Sequence, residues 1–160
     1  MEDTSMMRLG LVLVLALACA LGFVGWSVAA DDKEDKVAAE DKKWEGTWVV
    51  VSMEVDGEKM PKEAFANMVF TFTGKKYVQK VGETVLEAGT QHLDPTKTPK
   101  FMDIHVTEGE TKDTKQLAIY EIDGDEARIC AASHGEKDRP SKFETKPGTG
   151  HMLFVLKRKK

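Results

Sequence analysis

Two stretches of the chain set acid, base and metal-ligating residues at alternating positions. Asp103 and His105 stand two apart in Phe101-Met102-Asp103-Ile104-His105-Val106-Thr107. On an extended chain they share a face, where a carboxylate beside an imidazole could open a metal site or an acid–base pair. Their alternating partners Met102, Ile104 and Val106 are apolar, so the buried face is the other one and the Asp/His face reads as the outside. His134, Glu136 and Asp138 alternate in the polar segment Ser133–Ser141. Three donors on a loop do not make a metal site without a fourth from the scaffold. Asp123-Gly124-Asp125-Glu126 lacks the twelve-residue spacing of oxygens that a calcium loop requires, and reads as a turn.

Nucleophiles fare no better. Cys130 lies in Arg128-Ile129-Cys130-Ala131-Ala132 with small apolar neighbours, the setting of a buried thiol used as a hydrophobe. An activated thiolate needs a nearby cation or a helix N-terminus, and neither is suggested locally. Ser52, Ser133 and Ser141 lack the Gly-x-Ser-x-Gly context of a strained nucleophile turn. These residues give no catalytic assignment, no metal and no cofactor. A hydrolase or metal-dependent enzyme stays a remote alternative.

The elements that would carry these residues are strands. From Trp44 onward, short runs of apolar alternation are broken by turn signals: Thr47–Val55, Met68–Thr73, Tyr77–Val81, Val85–His92, Phe101–Thr107, Gln116–Ile122, Glu126–Ala132, Lys142–Thr145 and His151–Lys157. Met68, Phe70 and Phe72 face one way while Val69, Thr71 and Thr73 face the other, as in a half-buried strand. Asp56-Gly57 and Asp123-Gly124 are hairpin turn pairs, and Gly74-Lys75 and Gly82-Glu83 act similarly. Asp94 to Pro99 is a longer turn whose prolines exclude a central strand. Pro61–Asn67 predicts one short helix, with proline in its first turn. Sequential strands without crossover helices specify an all-β fold. The architecture expected is an antiparallel up-and-down barrel of about eight or nine short strands, with the helix after the first strand.

Ahead of the barrel, Leu9–Ala30 is an almost unbroken apolar run of 22 residues, preceded by Arg8 and ending Val28-Ala29-Ala30. A basic residue, an apolar core and a small-residue exit are the parts of a secretory signal peptide over residues 1–30. An uncleaved membrane anchor is the alternative, since the run is long enough to span a bilayer. Glu2 and Asp3 are atypical of such a leader and fit a start at Met6 or Met7. A lipid-modified Cys19 is disfavoured by the apolar residues that follow it. Residues 31–43 (DDKEDKVAAEDKK) read as a charged linker or a short frayed helix. Residues 44–160 form the domain.

Arg8, Glu2 and Asp3 are the charged residues of the first thirty, so the remaining chain holds 22 basic against 25 acidic residues, a net charge of −3. That near-balance argues against a nucleic-acid partner, which would call for a basic face. Cys130 is the one cysteine beyond residue 30. The domain must therefore be held by burial without an internal disulfide, despite an oxidising destination.

Four strings carry a resemblance: GTWVVVSMEVDGEKMP from Gly46, LDPTKTPKFMDI from Leu93, YEIDGDEARIC from Tyr120 and PGTGHMLFVLKR from Pro147. Together they resemble a family of small exported proteins of planctomycete bacteria described as lipocalin-like, over roughly Trp44 to Arg158. Gly46-Thr47-Trp48 corresponds to the Gly-x-Trp start of lipocalins. The resemblance implies a lipocalin-like barrel in which Arg158, from the last strand, covers Trp48 and closes the barrel base. It implies no activity, because fold alone does not carry function.

The interior decides between the function classes that remain. Counting Trp48, Met68, Phe70, Phe72, Leu86, Met102, Ile104, Leu117, Ile119, Phe154 and Leu156 as inward predicts a mostly filled barrel, with at most a small pocket near Phe65. That favours a non-catalytic interaction or structural module of the cell envelope, with a protein partner. The alternative is a binding protein for a small apolar molecule, using Phe65, Met68, Phe70 and Phe72. Export to the periplasm or extracellular space is expected, with membrane contact only through residues 9–30 if these are uncleaved.

Overall fold

A computed structural model describes residues 28–160. The leader reading therefore falls outside the described residues except for Val28–Ala30, and Cys19 lies wholly outside them. The described chain runs α1 (Val28–Trp44), β1 (Gly46–Val55), β2 (Glu58–Lys59), α2 (Lys62–Phe65), β3 (Met68–Thr73), β4 (Lys76–Val81), β5 (Thr84–Asp94), β6 (Lys100–Gly109), β7 (Lys115–Asp123), β8 (Glu126–Ala131) and β9 (Met152–Arg158). Among these residues no helix is long and apolar enough to cross a membrane.

The strands form one antiparallel sheet in the order β1-β3-β4-β5-β6-β7-β8-β9, and β9 pairs back onto β1. This is a closed, eight-stranded up-and-down barrel. The two-residue β2 is an extra strand that hairpins onto the end of β1. Closure leaves no long unpaired edge, which suits a domain without a disulfide. Asp56 (φ 52°) and Gly57 (φ 87°) are both left-handed, the backbone of a tight two-residue hairpin turn.

Strand directions give the barrel two distinct ends. The turns β3–β4, β5–β6 and β7–β8 lie at the base. The β4–β5 turn, the β6–β7 loop and the long β8–β9 connection lie at the top, with α2. The base is packed with aromatic rings. Trp44 and Trp48 are fully buried. Their ring centroids are 5.5 Å apart, and Trp44 also meets Phe72 at 4.9 Å and Tyr120 at 5.7 Å. Trp48 Nε1 donates to the Trp44 carbonyl at 2.8 Å.

Residues 31–43, read as a charged linker or a short frayed helix, lie within the 17-residue α1, whose last turns dock onto the base. Two groups the sequence does not advertise explain this. Trp44 is the apolar plug. Glu40 is buried, and its Oε1 accepts from Lys100 Nζ at 2.7 Å and Lys43 Nζ at 2.8 Å. Tyr120 Oη donates to its Oε2 at 3.3 Å. Burial alone would push the Glu40 carboxyl up, but the two lysines together outweigh it and hold the group below its ordinary value of 4.5. The sign follows: this clamp is fully stabilising above that ordinary value and is lost as pH falls through the lower folded one. Glu40→Gln should therefore be less stable than wild type at pH 7. The gap should close as acidification carries the carboxyl from its ordinary value of 4.5 through the lower folded one, as read from urea midpoints across pH. A gap independent of pH would show that Glu40 acts by packing alone.

The expected strand Lys142–Thr145 is not formed. The connection between β8 and β9 instead runs as a strap over the outside of β6–β8. Arg139 donates from Nη1 to the main-chain carbonyls of Met102 and Ala118, in neighbouring strands, and from Nη2 to Asp103. Its guanidinium lies 4.2 Å over the Phe101 ring. Cys130 Sγ donates to the Glu144 carbonyl at 3.6 Å, and Gly57 N donates to Thr145 Oγ1 at 2.9 Å. The strap explains a second correction. Leu117 and Ile119, expected inward, face outward, while Gln116, Ala118, Tyr120 and Ile122 face the interior. Register settles this, because inward Met102 pairs with Ala118 and outward Phe101 pairs with Ile119. Ile119 is nonetheless fully buried. β7 is apolar on both faces because both are covered.

Candidate ligand-binding site

The interior is not filled. Above the aromatic base a cavity of about 770 Å³ opens toward the top of the barrel. That lies within the ~300–1,000 Å³ range of small-molecule sites. Its walls are predominantly apolar: Met68, Phe70, Phe72, Met102, Ile104, Ile129, Met152 and Phe154 all contribute. Leu117 and Ile119 do not fill this space, because they face outward. Gly89, Ala118 and Ala131 face inward between the large residues, by register with Tyr77, Met102 and Ala118 respectively. A Cβ on Gly89 would lie 2.1 Å from the His105 carbonyl oxygen and 3.0 Å from Tyr77 Cε1, so glycine is required there by close approach.

Met68, Phe70 and Phe72 line the cavity. Phe65 is buried in the same core but is not part of the cavity wall, so the small pocket expected beside α2 is replaced by a larger space in the barrel itself. Leu86, expected inside, is 41% exposed at the mouth, beside Val85 at 44%. A bulge explains the pair: the β4–β5 register shifts between Gln79 and Lys80, leaving Leu86 as the extra residue. Two consecutive apolar side chains therefore reach the rim.

The mouth also holds a polar cluster that sequence reading missed. Glu87 Oε1 accepts from Tyr77 Oη at 2.5 Å. Its Oε2 accepts from Thr111 Oγ1 at 2.9 Å and lies 2.8 Å from His134 Nε2. Burial, then the Glu87 carboxylate, raises the Tyr77 phenol and keeps it protonated as the donor. The cluster is satisfied within itself. Of the residues singled out in the polar loop, only His134 reaches this site; Glu136 and Asp138 are exposed. No cluster of three metal-ligating side chains exists among the described residues.

The other residues weighed for chemistry are dispersed. Asp103 and His105 lie exposed on the outer face. Ser133 Oγ donates to the Gly150 carbonyl at 2.9 Å, and Ser52 and Ser141 are exposed elsewhere. Burial pushes the Cys130 thiol up to about 11, which makes it a poor nucleophile. Trp48 and Arg158 form a contact at the base, far from the mouth. The guanidinium sits 4.3 Å over the indole, and its Nη2 donates to the Lys43 carbonyl at 2.6 Å. A second depression, about 760 Å³ between α1 and the outside of β5–β6, is lined largely by charges of both signs, including Lys33, Asp41, Asp94 and Arg139. Comparison of the chain with protein-family models, with curated proteins and with solved structures gives no match.

Proposed function

We propose that this domain is a non-catalytic binding protein for a small, predominantly apolar molecule held inside the barrel. One observation carries the reading: the cavity of about 770 Å³, walled by methionine and phenylalanine side chains and open at one end. The exposed Val85 and Leu86 at its rim give an apolar molecule a surface to cross on entry. An interaction or structural module drew its support from a filled interior, and that support is gone. The strings from Gly46, Leu93, Tyr120 and Pro147 support placing the protein with the exported lipocalin-like proteins of planctomycetes. The apolar run Leu9–Ala30 supports export to the periplasm or extracellular space, with a membrane-anchored form as the alternative.

Titration with the uncharged fluorophore N-phenyl-1-naphthylamine tests the reading. Saturable enhancement at one site per chain is expected. Phe70→Trp, which adds bulk to the cavity wall, should weaken it strongly while leaving the far-ultraviolet circular dichroism unchanged. No saturable signal, or binding indifferent to Phe70→Trp, would reject a barrel ligand site.

A further inference from the structure

Gln91 differs from every other polar residue on the cavity wall. It is 1% exposed, and neither its Oε1 nor its Nε2 has a hydrogen-bond partner. Its neighbours on the wall are otherwise engaged. Gln116 Nε2 donates to the Ala132 carbonyl at 2.8 Å, and Gln79 Nε2 donates to Met68 Sδ at 3.4 Å. Glu87 is taken up by Tyr77, Thr111 and His134. Buried side-chain amides almost always find partners, because the desolvation of both donor and acceptor is otherwise uncompensated. Substituting leucine would fill similar space without that cost. An amide kept there with both atoms free is the mark of a group whose partner is the ligand.

Position and charge narrow what that partner is. Gln91 lies on the inward face of β5, four residues beyond Glu87 toward the base, about 13 Å at the usual strand rise. Its cross-strand partner is apolar Ile104. A ligand reaching it enters head first, leaving its tail among Met68, Phe70 and Phe154 and its end at the Val85–Leu86 rim. Among the described residues no lysine or arginine lines the cavity, whereas two carboxylates, Glu87 and Glu110, do. An anionic head would be desolvated there without a matching lysine or arginine. A carboxamide side chain offers one donor and one acceptor side by side. Uncharged groups that satisfy both at once include another primary carboxamide and the edge of a lactam.

We propose that Gln91 is the head-group recognition residue of the barrel, and that the ligand is an uncharged apolar molecule ending in a carboxamide or lactam. The proposal rests on the binding function above. Its test uses three probes of matched ring size, naphthalene-2-carboxamide, 2-naphthoate and 2-methylnaphthalene, each displacing N-phenyl-1-naphthylamine from wild type and from Gln91→Leu. In wild type the carboxamide should displace at concentrations about tenfold or more below those of the other two. Gln91→Leu should erase that advantage, leave 2-methylnaphthalene within about twofold, and raise the melting temperature of the ligand-free protein. Gln91→Met serves the same comparison if the leucine variant fails to fold. A carboxamide affinity unchanged by either substitution, or 2-naphthoate binding as tightly as the carboxamide, overturns the proposal while leaving the binding function standing. Failure of N-phenyl-1-naphthylamine to bind wild type at all rejects both.

Discussion

Replacing Trp48 by alanine is expected to destabilise the domain by about 3–5 kcal/mol, the range for deleting a large buried aromatic side chain. The indole is fully buried on β1, pairs with Phe70 across to β3, and donates through Nε1 to the Trp44 carbonyl. Its loss leaves a void at the barrel base and an orphaned carbonyl at the end of α1. Arg158→Ala should cost less, about 1–2 kcal/mol, because the guanidinium is partly solvated and its stacking on the indole is the main attraction removed. The two losses should not add, since the groups touch. A double-mutant cycle from urea denaturation measures this. A coupling energy within error of zero would mean that Arg158 holds the carbonyls of Lys43 and Glu45 independently of the ring.

Trp44→Ala is expected to be of similar size, about 3–5 kcal/mol, and to release α1 from the barrel. The side chain is fully buried against Trp48, Phe72 and Tyr120, although it belongs to a helix rather than to a strand. Once it is gone, Glu40 loses the neighbouring turn that seats it between Lys100 and Lys43. Amide hydrogen exchange over 33–44 should rise toward that of an exposed peptide, while the central strands β5–β7 keep most of their protection. A variant that loses less than about 1 kcal/mol and retains slow exchange in α1 would show that the charged contacts, not the indole, hold the helix.

How legible this was differed by region, and for physical reasons. Strands such as β3, where Met68, Phe70 and Phe72 alternate with polar or small partners, report their inner face directly in the sequence. So do the Asp-Gly turns. β7 does not, because Gln-Leu-Ala-Ile-Tyr-Glu-Ile offers apolar residues to both sides, and the strap that covers its outer face comes from a segment with no periodicity of its own. β5 hides its role for the opposite reason. Glu87 and Gln91 face inward and line the cavity, so a rule that turns polar residues toward solvent discards both positions. The cavity itself was illegible because the count of large inward side chains included Leu86, Leu117 and Ile119, whereas a bulge carries Leu86 to the rim and register turns Leu117 and Ile119 outward. The docking of α1 was illegible because its composition is that of a solvated segment, and the two residues that dock it, Glu40 and Trp44, act through partners 60 and 80 positions away for Glu40 and 28 and 76 away for Trp44.

The placement of α1 also sets an orientation. Lys33 lies 3.3 Å from Asp94, the last residue of β5, whereas the first residue of β5, Thr84, lines the mouth. The polypeptide thus joins the domain at the pole opposite the opening. With the upstream chain held at a surface, the opening would be presented outward, to whatever diffuses past, and cargo would be exchanged with the surrounding fluid or a facing partner rather than with the surface of attachment.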